Sequence, residues 1–179
     1  MFADVRNYTQ LMHEKGPQVV KPLVDDFVRR ARETVVEHDG ILDRYLGDAV
    51  LALFNVPVRR ADHAQRAVRA ALQIQKLVPE INARGGGEPL IRVGIGINSG
   101  VALTGIVGSA SCDDYTALGD AINIASRLQN EAGPGEVVVT EAVYKLVADQ
   151  FSAASEKTFQ LKGIKEPVRA YVLAVPASI

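Results

Sequence analysis

The chain has 179 residues, 47% of them hydrophobic and 23% charged, with a formal net charge of −1. This fits one soluble globular domain with a sizeable core and leaves no electrostatic case for nucleic acid as a main partner. The single cysteine, Cys112, excludes an internal disulfide and suits a reducing cytoplasm; no apolar stretch is long enough to cross a bilayer and no signal-peptide pattern opens the sequence, so this segment is not expected to insert in a membrane.

Met1–Val5 reads as a very short strand, abruptly begun. From Gln18 to Glu37 apolar residues recur at helical spacing (Val20, Leu23, Val24, Phe27, Val28, Ala31, Val35), with Gly40 after the end. Pro17 and Pro22 confine regular helix to the part after them or to a first turn. Two strands flank Gly47-Asp48. A second amphipathic helix follows Asp62, an expected N-cap, through Ala67, Val68, Ala71, Leu72, Gln75 and Val78. "RGGGEP", residues 84–89, reads as a loop, and the next stretch as two strands joined at Asn98-Ser99-Gly100. "YTALGDAINIASRLQNEAG" gives a strand end, a Gly-Asp helix start and a helix closed by Gly133. Val137–Thr140 is a strand, Glu141–Ala148 a short helix, and Phe159–Lys162 with Val168–Val175 a last hairpin. Helices mixed with hairpins predict an α+β fold, with helices on one face of a mostly antiparallel sheet. No repeat or linker divides the chain, so one domain is expected over residues 1–179.

Three features carry chemistry. Asp48 stands where the apolar run Ala49–Phe54 enters the core, a place that normally sheds ionised groups. Taken alone, Gly47-Asp48 reads first as a simple hairpin turn; the other reading, a ligand for something positive, needs a partner. In "FADVRNYT" an apolar run delivers Asp4, and the chain turns through Val5-Arg6-Asn7-Tyr8-Thr9 towards a helix, where backbone N–H groups can cradle phosphate oxygens. Adjacent antiparallel strands would bring Asp4 and Asp48 together, which is unfavourable unless a cation neutralises them. Oxygen ligands of this kind suit Mg²⁺ or Mn²⁺ shared with a polyphosphate. Lastly, Asn123 and Arg127 share one helix face, either as an ordinary polar face or as functional groups. The glycines at 94, 96 and 100 do not open a helix, so they are not a dinucleotide fingerprint. Gly85-Gly86-Gly87 lacks the Lys-Ser/Thr of a P-loop, and His13, His38 and His63 lack metal-ligand spacing and read as surface or helix-end residues.

Together "FADVRNYT", "DRYLGDAVLALF", "IRVGIGINSG", "YTALGDAINIASRL" and "LKGIKEPVRAYVL" resemble the catalytic domain of class III nucleotidyl cyclases, in the family's order and over essentially the whole chain. The resemblance implies a ferredoxin-like α+β core and a head-to-tail homodimer with active sites shared across the interface. It implies that Asp4 and Asp48, with the Val5 backbone, bind two Mg²⁺ or Mn²⁺ ions per site, and that Val5, Asn7, Tyr8 and Thr9 contact the triphosphate. Arg92 matches the arginine that grips the terminal phosphates, and Lys162 the lysine that does so from the partner chain. Asn123 would orient the ribose, Arg127 would stabilise charge on the α-phosphate, and Thr116 stands at a base-reading position.

Two positions depart from the family's pattern. Arg44 stands where adenylate cyclases usually carry a purine-reading lysine, and Asn7 replaces a common glycine in the phosphate-binding turn. Asn tolerates unusual backbone angles better than most residues. The function implied is a cytoplasmic adenylate cyclase converting ATP to 3′,5′-cyclic AMP and pyrophosphate. The alternatives are a guanylate cyclase and a degenerate cyclase-homology module that binds nucleotide or dimerises. Only three residues precede Asp4, whereas family members enter it along a full strand. The expectation is a first strand cut short, with a longer product extending upstream into a sensor or regulatory region.

Overall fold

The computed structural model describes residues 1–85, 90–109 and 112–174. Strand β1 (Phe2–Val5) leads through Asn7 into helices α1 (Tyr8–Lys15) and α2 (Pro17–Glu37), then into β2 (Ile41–Tyr45), β3 (Ala49–Leu53) and α3 (His63–Arg84). There follow β4 (Val93–Ile97), β5 (Leu103–Ser109), β6 (Cys112–Leu118), α4 (Asp120–Glu131), β7 (Val137–Thr140), α5 (Glu141–Val147), β8 (Ala153–Phe159) and β9 (Val168–Leu173). Among the described residues, seven strands form one sheet in the order β2-β3-β1-β4-β7-β9-β8, and β5 pairs with β6 in a separate ribbon. Every neighbouring pair in the sheet is antiparallel except β4–β7. The α+β class and the mainly antiparallel sheet agree with the sequence reading.

Alternation along the strands sends Ala3, Val5, Val93, Ile95, Val137 and Val139 into the main core, where they meet the apolar stripes of α2 and α3. Phe27, Val35, Leu72, Ile74 and Ile81 are all fully buried there. The opposite face is covered too, which corrects the expectation of helices on one face only. There α4 packs through Ala125, Leu128 and Gln129. The reason lies in Gly94 and Gly96, which point to that face of β4. A Cβ on Gly96 would lie 2.4 Å from the Gln129 nitrogen and 2.7 Å from the Ala125 oxygen. The glycines that do not bind a dinucleotide therefore seat a helix against the sheet backbone. Gly96→Ala should force α4 outward and lower stability by ~1–3 kcal/mol. An unchanged urea unfolding midpoint would contradict this close seating.

Other differences have local causes. Helix α2 starts at Pro17 and runs through Pro22 rather than after it. Pro22 lies in the second turn, and the residue whose carbonyl it fails to bond, Gln18, is exposed and can use water. Asp62 sits at the N-cap of α3 without capping it, because its carboxylate pairs with Arg66 Nε at 2.9 Å. Strand β8 covers the polar run Ala153–Phe159, as an edge strand paired only with β9 can. Of the loop expected at 84–89, Arg84 ends α3 and residues 86–89 lie outside the described residues, as does Val175. The histidines sit at helix ends: His13 in the last turn of α1, His38 closing α2 and His63 opening α3. Among the described residues no helix is long and apolar enough to cross a membrane.

Candidate active site

Asp4 is the last but one residue of β1, paired with Ala49 on one side and Gly94 on the other. Asp48 occupies the turn just before β3, where its carbonyl accepts from the Val5 N–H at 3.2 Å and its N–H donates to the Leu46 carbonyl at 3.0 Å. Gly47, at φ 75°, makes that turn possible. The two carboxylates are thus brought side by side by antiparallel pairing. Burial, and next the neighbouring Asp4 charge, push the Asp48 carboxyl above its ordinary value, while Arg6 pulls it the other way. A pair of repelling carboxylates at a strand end, only partly offset by Arg6, fits a hard divalent cation. Among the described residues no third Asp, Glu, His or Cys joins them. Further ligands would therefore come from backbone carbonyls, water or substrate oxygens.

Beyond β1 the backbone turns at Asn7, held at φ 56° and ψ 32°, and the Asn7 carbonyl accepts from the Leu11 N–H at 2.9 Å as α1 begins. An asparagine does here what glycine does easily. The N–H groups of Tyr8 and Thr9 in the first helical turn have no intrahelical acceptor and suit an anion. Arg92 is exposed immediately before β4, and its carbonyl accepts from the Arg6 N–H at 2.7 Å. Asp4, Val5, Asn7, Tyr8, Thr9, Asp48 and Arg92 thus lie on neighbouring strand ends and the turn that follows β1.

Two further groups form elsewhere. Arg44 on β2 donates from Nη2 to Thr116 Oγ1 on β6 at 2.6 Å, so the two residues expected to read the base meet within one chain. On α4, Asn123 is exposed and Arg127 half-buried, both turned away from the buried Ala125–Gln129 side. A Cβ on Gly163 would lie 3.4 Å from Arg127 Nη2, which sets the turn carrying exposed Lys162 against that guanidinium. Buried Leu161 anchors the turn. Asn98 Nδ2 donates to the Ala121 carbonyl at 3.0 Å and fastens the start of α4 to the end of β4.

Two residues of the site were not singled out in the sequence. Arg6 donates from Nη2 to Asp4 Oδ1 at 2.5 Å and from Nη1 to the Gln129 carbonyl at 3.3 Å. It neutralises Asp4 and ties β1 to the C-terminal turn of α4, where a cation is favoured. Its position two residues after Asp4, on the same strand face, was the available signal. The other is Asp43, whose side chain is wholly buried against Arg44 and Thr116.

A cavity of about 640 Å³ lies apart from the aspartates, between β3, the start of α4 and the base of the β5–β6 ribbon. It is lined by Leu51, Leu53, Ala117, Ile122 and Ala125. Nearby Val101, Leu103 and Ile106 are 96%, 75% and 69% exposed. An apolar surface of this kind on the ribbon calls for a covering partner.

Comparisons with known proteins identify the family. The sequence profile of the Adenylate and Guanylate cyclase catalytic domain matches residues 1–175. The chain is 32% identical over 167 residues to Adenylate cyclase 1 of Rhizobium meliloti (strain 1021), covering 91% of this chain and 25% of that protein. It is 30% identical over 182 residues to Adenylate cyclase of Anabaena cylindrica, covering 96% of this chain and 35% of that protein. The chain thus spans a quarter to about a third of the length of these relatives. The crystal structure of the guanylyl cyclase Cya2 superposes with a TM-score of 0.91 at 27% identity, covering 97% of this chain and 89% of that one. The adenylyl cyclase CyaB from P. aeruginosa shares the fold, with a TM-score of 0.90 at 24% identity over 97% of this chain and 91% of that one. The chain belongs to the adenylate and guanylate cyclase catalytic domain family.

Proposed function

We propose that the chain is an adenylate cyclase, converting ATP to 3′,5′-cyclic AMP and pyrophosphate in the cytoplasm. The observation that carries the cyclase reading is the Asp4–Asp48 pair beside the Asn7 turn, which supports a cation site next to an anion site. The residues fit two Mg²⁺ or Mn²⁺ ions held by Asp4, Asp48 and the Val5 backbone. Bound there, divalent cations supply Lewis acidity towards the ribose 3′-hydroxyl and positive charge for the triphosphate.

The chain's own groups do the rest. Tyr8 and Thr9 N–H groups and Arg92 hold the phosphates, Lys162 of the second copy adds to them, and Asn123 orients the ribose. The 3′-oxygen then bonds to the α-phosphorus as the bond to the bridging oxygen of the β-phosphate breaks. Pyrophosphate leaves with that electron pair, and the hydroxyl proton passes to water, a substrate phosphate or Asp4. Arg127 offsets the charge that builds on the α-phosphate oxygens. The exposed apolar ribbon and the cavity beside it support a homodimer, with the metal half of each site from one copy and the Thr116–Asn123–Arg127–Lys162 half from the other. The two adenylate cyclase relatives support further domains joined to this one, of which an upstream sensor or regulatory region is the expected kind.

Adenine preference rests on Arg44 and Thr116. Arg44 donates towards the ring nitrogen of adenine but would face the ring N–H of guanine, donor against donor. A buried mismatch of that kind costs about 1–3 kcal/mol, so ATP should exceed GTP by roughly 10- to 100-fold in kcat/KM. Arg44→Lys should raise ATP turnover by shortening the donor. The similarity to the guanylyl cyclase Cya2 supports the guanylate alternative. Equal or greater efficiency with GTP would establish that alternative and overturn the adenine assignment.

A further inference from the structure

We propose that Asp43 is a positioning residue that sets base preference by fixing the direction of the Thr116 hydroxyl hydrogen; the inference rests on the adenine reading above. Three side chains close a ring. Thr116 Oγ1 donates to Asp43 Oδ2 at 3.0 Å, Arg44 Nη2 donates to Thr116 Oγ1 at 2.6 Å, and Arg44 Nε donates to Asp43 Oδ2 at 3.1 Å. A threonine hydroxyl has one hydrogen and two lone pairs. Asp43, a carboxylate facing a guanidinium, takes the hydrogen, and Arg44 takes one lone pair. What remains at Oγ1 is an acceptor alone.

That polarity discriminates at the 6-position of a purine. An amino group donates to the free lone pair, whereas a 6-oxo group would meet it acceptor against acceptor. Without Asp43 the hydroxyl would rotate and serve either base. The ring also holds the Arg44 fork through two of its nitrogens, so its orientation is set before nucleotide arrives.

The backbone is built to put Asp43 there. Leu42 pairs with Ala52 and Arg44 with Leu51, so Asp43 is the extra residue of a β-bulge in β2. A bulge re-aims a side chain that regular alternation would send to the other face. The side chain is fully buried, yet its Oδ1 has no hydrogen-bond partner among the described residues. A buried acceptor left unpaired costs stability, so packing alone does not account for a carboxylate at this position.

The test uses the whole chain with Mn²⁺ and two non-cyclisable ligands, 3′-deoxy-ATP and 3′-deoxy-ITP, which differ in the purine 6-substituent and N1 protonation. Their dissociation constants are measured by calorimetry, alongside kcat/KM for ATP and GTP. Asp43→Ala should reduce the preference for the 6-amino ligand about tenfold, as one lost hydrogen-bond discrimination requires. Asp43→Asn, whose amide oxygen still accepts from Thr116, should keep the preference within about threefold. In a Thr116→Val background Asp43→Ala should leave the preference unmoved. If Asp43→Ala does not fold, Asp43→Leu fills the volume and carries the same expectation. A loss of affinity shared equally by both ligands, or a shift that persists in Thr116→Val, overturns the proposal. A wild-type chain that prefers GTP defeats the adenine reading by itself, while the shift on Asp43→Ala still decides the role of Asp43.

Discussion

Asp4→Ala and Asp48→Ala should each lower kcat/KM for cyclisation by ~10³-fold or more, because each removes one of two anionic ligands from a site whose cations supply several kcal/mol of charge stabilisation. Neither carboxylate belongs to the apolar core, so both variants should keep the fold. Their stabilities without metal should differ, and the difference tests the geometry. Burial and the Asp4 charge raise the Asp48 carboxyl, so its ionisation is disfavoured in the folded chain. Stability from this group is fully present below the ordinary carboxylate range and is lost as pH rises through the raised value. Asp48→Ala removes that loss and should raise the metal-free melting temperature at neutral pH. Asp4→Ala instead strips the counter-charge from Arg6, which is only 15% exposed, and should lower it. Calorimetric melting without metal, set beside activity with Mn²⁺, reads both effects. Near-normal activity in either variant would contradict the metal assignment.

Arg127→Ala should also be inactive alone, yet active when mixed with Asp48→Ala. Arg127 stands against the Lys162 turn on α4, whereas Asp48 stands at the β2–β3 turn. In a twofold-symmetric dimer with sites shared across the interface, each mixed dimer holds one site built only from intact halves. Random exchange makes half the dimers mixed, each with one working site of two, so the mixture should recover about a quarter of wild-type activity. Native mass spectrometry counts the mixed dimers. Mixed dimers without recovered activity would place the whole site within one chain.

The part of this site legible in the sequence is the part written in consecutive residues. Asp48 announces itself because an ionisable group stands at the edge of an apolar run, and Asp4 because a turn towards a helix follows it. Asn7 is legible as the residue that tolerates the left-handed turn it adopts. Arg6 was legible only in its spacing from Asp4, since its tie to Gln129 spans 123 positions, and Asp43 was not legible, since its partner Thr116 lies 73 positions away. A bulge of one residue decides which way Asp43 points, and no local pattern marks it. The glycines of β4 were visible but not interpretable, because their role is set by a helix that arrives some 25 residues later and packs on backbone. Strand β8 was hidden for a different reason: at the edge of a sheet it is held by backbone bonds to β9 and needs no apolar alternation.

The central claim is that this chain closes a phosphodiester ring rather than only binding nucleotide. Purified protein incubated with Mn²⁺ and ATP, with the products separated and identified by mass spectrometry, tests it most directly. The account predicts 3′,5′-cyclic AMP and pyrophosphate in equal amounts, both absent with Asp48→Ala. Unchanged ATP, or hydrolysis to ADP or AMP without a cyclic product, would contradict it.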